Sequence, residues 1–154
     1  MLVQVARAAF TAIALAAAYD IFNNCCPSSD VRVWGPHAWT IAYHLAHQAE
    51  DRDWSGEGFS RVMDALAITL PCPTCREHYV RAPVNPSGMT PTQLVYTMQS
   101  RIAALPGSRA TKCPGPMEKE AARRGFGRAW RLYQCCAAGR PLGILSKQID
   151  ELAY

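Results

Sequence analysis

Leu70-Pro71-Cys72-Pro73-Thr74-Cys75-Arg76-Glu77-His78 lies at the joint between two helical patterns. Upstream, Phe59, Val62, Met63, Leu66, Ala67 and Leu70 recur at helical spacing and form an amphipathic stripe. Pro71 ends that helix, and Pro73 suits the first turn of another that runs to about residue 80. A C-x-x-C at a helix start brings two sulfurs within bonding distance. It also aims backbone N–H groups and the positive end of the helix dipole at a thiolate. Redox chemistry is therefore the preferred reading. The alternative is a zinc-binding Cys/His helical interaction module using Cys72, Cys75 and His78. Its further ligands would be Cys113 and Cys135 or Cys136, at a spacing unlike a zinc knuckle. A thioredoxin-like context is excluded because the motif follows a helical stripe and not a strand.

Outward from this joint the pattern stays helical. Trp39, Ala42, Tyr43 and Ala46 share one face of a helix expected to start near Trp34, with Pro36 in its first turn. Thr90-Pro91 is a cap and first-turn pair for a helix carrying Leu94, Val95, Met98, Ile102 and Leu105, which Pro106 and Gly107 stop. Residues 117–134 form a last helical region, weakened by Gly125 and Gly127, and residues 142–152 a short tail helix. No hairpin-bounded alternation, internal repeat or glycine-rich phosphate loop occurs. The expected fold class is all-α: four or five short helices in a bundle.

The composition fits one globular domain: 154 residues, 49% hydrophobic and 18% charged, with a formal charge of +4. The arginines are scattered without aromatic interleaving, so no nucleic-acid partner is expected. Seven cysteines stand at 25, 26, 72, 75, 113, 135 and 136, and the odd count leaves one thiol free or bonded outside the chain. Residues 8–19 are uncharged and alanine-rich, too short to span a bilayer unaided. They read as a helix or membrane-surface anchor, or as a signal-peptide core with Ala16-Ala17-Ala18 as cleavage site. The turn-forming linker 23–30 carries Cys25 and Cys26. The chain thus divides into an N-terminal extension (1–33), a central domain (34–136) and a C-terminal tail (137–154).

Taken together, W-G-P-x-x-W (Trp34, Gly35, Pro36, Trp39), L-P-C-P-T-C-R-E-H, the apolar helix after Thr90 and Cys113 stand in a specific order. That order resembles the Erv/ALR family of FAD-linked sulfhydryl oxidases, above all its compact, poxvirus-like viral members, over residues 34–136. The resemblance implies a four-helix bundle plus a short fifth helix that grips FAD and forms a homodimer. It makes Cys75 the flavin-proximal cysteine and Cys72 the one that exchanges with incoming dithiols. Trp39 would wall the cofactor, with Trp34 and Gly35 at its mouth. Tyr43 stands where many members carry histidine, and Tyr96 and Gln99 where they carry asparagines. Trp130 becomes an adenine contact and His78 a group at the flavin edge. Cys113–Cys135 becomes a structural disulfide, which would contribute about 3 kcal/mol if unstrained. Cys25 and Cys26 become a shuttle or an intermolecular crosslink. Implied partners are protein dithiols or a thioredoxin-like relay, with oxygen as electron acceptor. The location would be membrane-associated, or virion and host cytoplasm if viral, and otherwise an oxidising compartment.

Overall fold

The computed structural model describes residues 30–109 and 115–153, and among them six helices and no strand. In chain order these are α1 (Val31–Glu50), α2 (Gly56–Thr69), α3 (Pro73–Arg81), α4 (Pro91–Ala104), α5 (Lys119–Cys136) and α6 (Leu142–Ala153). The protein is all-α. The segment 1–29, with Cys25, Cys26 and the alanine-rich run, and Cys113 lie outside the described residues. Among those described, no helix is long and apolar enough to cross a membrane.

Each helix start follows from local chemistry. Asp30 caps α1 by accepting from the Arg32 backbone N–H at 3.0 Å, and Ser55 caps α2 by accepting from Gly58 N–H at 3.1 Å. Thr90 and Gln93 satisfy each other's backbone N–H groups in a capping box at the start of α4. Because Asp30 caps, α1 begins at Val31 and not near Trp34, which leaves Pro36 inside the helix. Pro36 has no N–H, so one hydrogen bond of the second turn is absent there.

Helix α1 is the spine. It packs most extensively on α5 and also meets α4, α2 and α6, while α2 meets α4 and α6. Ile41, Tyr43 and Leu45 of α1, Phe59 and Val62 of α2, Leu94 and Val95 of α4 and Tyr133 of α5 are buried in the common core. Gly125, which weakens α5 on propensity alone, lies against α1: a Cβ there would come within 3.1 Å of Thr40 Cγ2. The residues read as a tail fold back, with Leu145 and Leu152 of α6 fully buried against the body. The short helix α3 touches only α2 and α4 to any extent and buries none of its own residues. Where the loop after α3 turns back, the Gly56 N–H donates to Met89 O at 2.8 Å. A Cβ at Gly56 would come within 2.7 Å of Met89 O and 2.9 Å of Pro86 O.

Candidate active site

Cys72 occupies the N-cap of α3, where its extended backbone turns the chain into the helix and its Sγ accepts from the Cys75 N–H at 3.1 Å. Pro73 takes the first helical position. Three residues apart across this turn, Cys72 and Cys75 have Cα atoms 5.2 Å apart, inside the usual disulfide range, and are joined as a disulfide.

Two hydrogen bonds hold α3 in place. Arg76 Nη1 donates to Leu70 O at 2.5 Å. Tyr79 OH donates to Asp64 Oδ1 at 2.9 Å and ties α3 to α2. Burial, then the hydrogen bond to Asp64 and its charge, push the Tyr79 hydroxyl well above the usual tyrosine range, so it stays a donor.

The disulfide forms part of the wall of a cavity of about 300 Å³. From α1 come Trp34, Ala38 and Trp39, and from α2 Met63, Leu66 and Leu70. Helix α3 and its N-cap supply Cys72, Thr74, Cys75, His78 and Tyr79, and α4 supplies Ile102. Asp30, Ser108 and Arg109 give a polar rim. The Arg32 guanidinium and backbone N–H beside Asp30 hold its carboxyl at about 2, with Arg109 adding to the pull. Trp34 is fixed from behind by an edge contact with the Tyr133 ring, centroids 6.5 Å apart. Tyr133 OH in turn shares a 2.8 Å hydrogen bond with Thr69.

Of the residues expected at the site, Trp34, Trp39, Cys72, Cys75 and His78 line this one cavity. Gly35, Tyr43, Tyr96, Gln99 and Trp130 do not. Gly35 faces its own helix, where a Cβ would come within 3.1 Å of Val31 Cγ2. Tyr43 lies in the core and donates to Gln99 Oε1 at 2.8 Å in a buried bond between α1 and α4. Tyr96 and Trp130 are half-buried and pack against the core from α4 and α5. Cys135 is disulfide-bonded, and its implied partner Cys113 lies outside the described residues. Cys136 is a free, buried thiol, pushed above the ordinary range by that burial.

Sequence reasoning missed Tyr79, Asp30, Ser108 and Arg109. Tyr79 was findable, since Cys72, Cys75, His78 and Tyr79 recur at helical spacing. Ser108 and Arg109 follow the Pro106-Gly107 stop and carry no local signal. Two of the other histidines make packing or hydrogen-bond contacts. His44 stacks on Phe126 with centroids 4.2 Å apart, and His47 Nε2 meets Met117 O at 2.9 Å. Burial lowers the pKa of His37 and His44, helped by nearby cationic groups. Among the described residues no three His, Cys, Asp or Glu side chains converge as a metal site would need.

The lining suits a flat aromatic cofactor. Two indoles and a set of aliphatic side chains offer apolar walls, a disulfide stands at one side, and an arginine at the rim can meet an anionic group. The volume falls at the lower end of small-molecule pockets, about 300–1,000 Å³. Cys75, Trp34, Trp39 and Arg109 therefore fit FAD in the character of their side chains.

Over 63 residues, 41% of its length, the chain is 36% identical to two variola virus proteins named probable FAD-linked sulfhydryl oxidase. The match spans 65% of each relative's own length, a little under two thirds. No protein-family model and no solved structure matches the chain.

Proposed function

We propose that this protein is an FAD-dependent thiol oxidase that forms disulfides in protein dithiols through Cys72 and Cys75. One observation carries the proposal: the Cys72–Cys75 disulfide stands in the wall of an apolar cavity lined by two tryptophans. The similarity to proteins named for FAD-linked sulfhydryl oxidation supports it.

The roles of the two sulfurs follow the family resemblance and the helix-end geometry at Cys72. A substrate thiolate attacks Cys72 Sγ, the Cys72–Cys75 bond breaks, and Cys75 leaves as the thiolate. The substrate's second thiolate then attacks the substrate sulfur of the mixed disulfide. This releases an oxidised substrate and leaves two cysteines that hold two electrons and up to two protons. The Cys75 N–H that points at Cys72 Sγ, with the positive end of α3 behind it, favours the Cys72 thiolate. That makes Cys72 a good leaving group when the substrate's second thiolate displaces it. Both cysteines line the cavity; the family resemblance makes Cys75 the one from which electrons enter it. FAD, when bound, supplies two-electron acceptance and delivery to oxygen as hydrogen peroxide. Trp34 and Trp39 would wall it, and Tyr79 holds α3 against α2 beside Cys75.

The test is an absorption spectrum with an oxygen-consumption assay on dithiothreitol. A yellow protein that releases FAD on denaturation and makes one peroxide per dithiol is the expected result. A colourless protein that binds no added FAD would overturn the reading. Stoichiometric zinc in its place would support the Cys/His interaction module.

A further inference from the structure

Helix α3 has two faces. The inner one, with Cys72, Cys75, His78 and Tyr79, lines the cavity. On the outer one, Pro73, Arg76, Glu77, Val80 and Arg81 border a shallow depression. Val80 is 76% exposed, more than any other large hydrophobic residue described as exposed. Nothing in the fold requires an apolar side chain there, since α3 buries none of its residues. Among the described residues, Arg76, Glu77 and Arg81 have no ion-pair partner. The depression begins at Pro73, the neighbour of the sulfur that a substrate must attack.

We infer that this outer face of α3 is where the protein substrate docks, and that it selects a cysteine accompanied by an apolar and an acidic residue. The inference rests on the oxidase reading above and names its substrate class. Val80 supplies an apolar contact and the exposed Arg81 favours a carboxylate, while Arg76, half-buried and donating to Leu70 O, adds its charge from behind. Register follows from geometry. Val80 is eight positions beyond Cys72, about 12 Å along a helix axis. An extended peptide covers that distance in about four residues. A substrate cysteine placed at Cys72 therefore brings a residue about four positions away over Val80, with its neighbour beside Arg81. A small dithiol such as dithiothreitol reaches Cys72 without touching this face.

The experiment uses the FAD-loaded protein and two synthetic dithiol peptides. One carries Leu-Asp four residues to either side of its cysteine pair, and the other carries Ser-Lys there. The Leu-Asp peptide should show a KM about tenfold lower, the scale of one buried aliphatic contact. Val80→Asp and Arg81→Glu should each erase that difference while leaving kcat/KM for dithiothreitol unchanged. Both side chains are exposed, and neither belongs to the cavity wall. Equal KM values for the two peptides would overturn the inference, as would parallel losses on peptide and dithiothreitol. If Val80→Asp instead converted a dimer to a monomer in sedimentation, the face would belong to a second copy and the inference would fall. Absence of dithiothreitol oxidation by the unsubstituted protein would overturn the oxidase reading itself.

Discussion

Tyr43→Phe separates a structural crosspiece from a cofactor ligand. Tyr43 is fully buried and Gln99 only 4% exposed, and their 2.8 Å hydrogen bond joins α1 to α4 away from the lining of the cavity. Removing the hydroxyl leaves Gln99 Oε1 buried without that donor, at a cost of about 1–3 kcal/mol. For a domain of this size each kcal/mol lowers Tm by about 2–4 °C, so a fall of roughly 2–12 °C is expected. Melting should be followed by far-UV circular dichroism at one fixed excess of FAD, because a bound ligand stabilises by mass action. Gln99→Leu alone should cost a similar amount. The double variant should cost less than the sum, since both polar groups then leave together. Flavin content per folded protein should not change. An unaltered Tm combined with loss of flavin from Tyr43→Phe would refute this account and make the pair cofactor contacts.

The redox roles are tested by single serines. Cys72→Ser and Cys75→Ser should each abolish dithiothreitol turnover, and only Cys72→Ser, with Cys75 free beside the flavin, should gain a long-wavelength absorption band. The reverse pattern would exchange the two roles. Cys26 is four residues before Asp30 in the sequence, and Asp30 lines the cavity. If that pair is a shuttle, the double variant Cys25→Ser/Cys26→Ser should keep dithiothreitol oxidation and lose about tenfold on a folded protein dithiol, some 1.4 kcal/mol. Equal rates on both substrates would exclude a shuttle, and loss of a covalent dimer on nonreducing gels would identify a crosslink. Nonreduced peptide mapping should find Cys113 bonded to Cys135. Because burial raises the pKa of Cys136, its alkylation should be slow and should keep accelerating above the pH at which exposed thiols level off.

The helices were largely legible because their determinants are local. The stripe of Phe59, Val62, Met63 and Leu66 is buried as its spacing implied, and Thr90 caps α4 as its residue type implied. The start of α1 was misplaced because Asp30 reads as linker until its carboxylate is seen accepting from Arg32. The continuity of α5 through Gly125 was obscured in a similar way, since a helix partner, Thr40, makes the missing side chain useful. At the site, a motif on one helix places Cys72, Cys75 and His78 together, and the tryptophans arrive with the neighbouring helix. What stayed hidden depends on long-range partners. Tyr43 meets Gln99 56 residues away and Tyr133 meets Thr69 64 residues away, and no local pattern encodes either pair. Ser108 and Arg109 reach the rim only because of where α4 ends.

Gly56 carries no chemistry and lies on none of the walls around the sulfurs, yet its bare Cα lets the strap of chain between α3 and α4 close against the head of α2. A methyl group there would wedge two carbonyls outward, and the displacement would pass along the strap to the helix that holds the disulfide. A saturation screen for activity would therefore score position 56 as severely as a catalytic position, for a reason that is purely one of clearance. Tolerance measured by function alone would mistake the buckle for the blade.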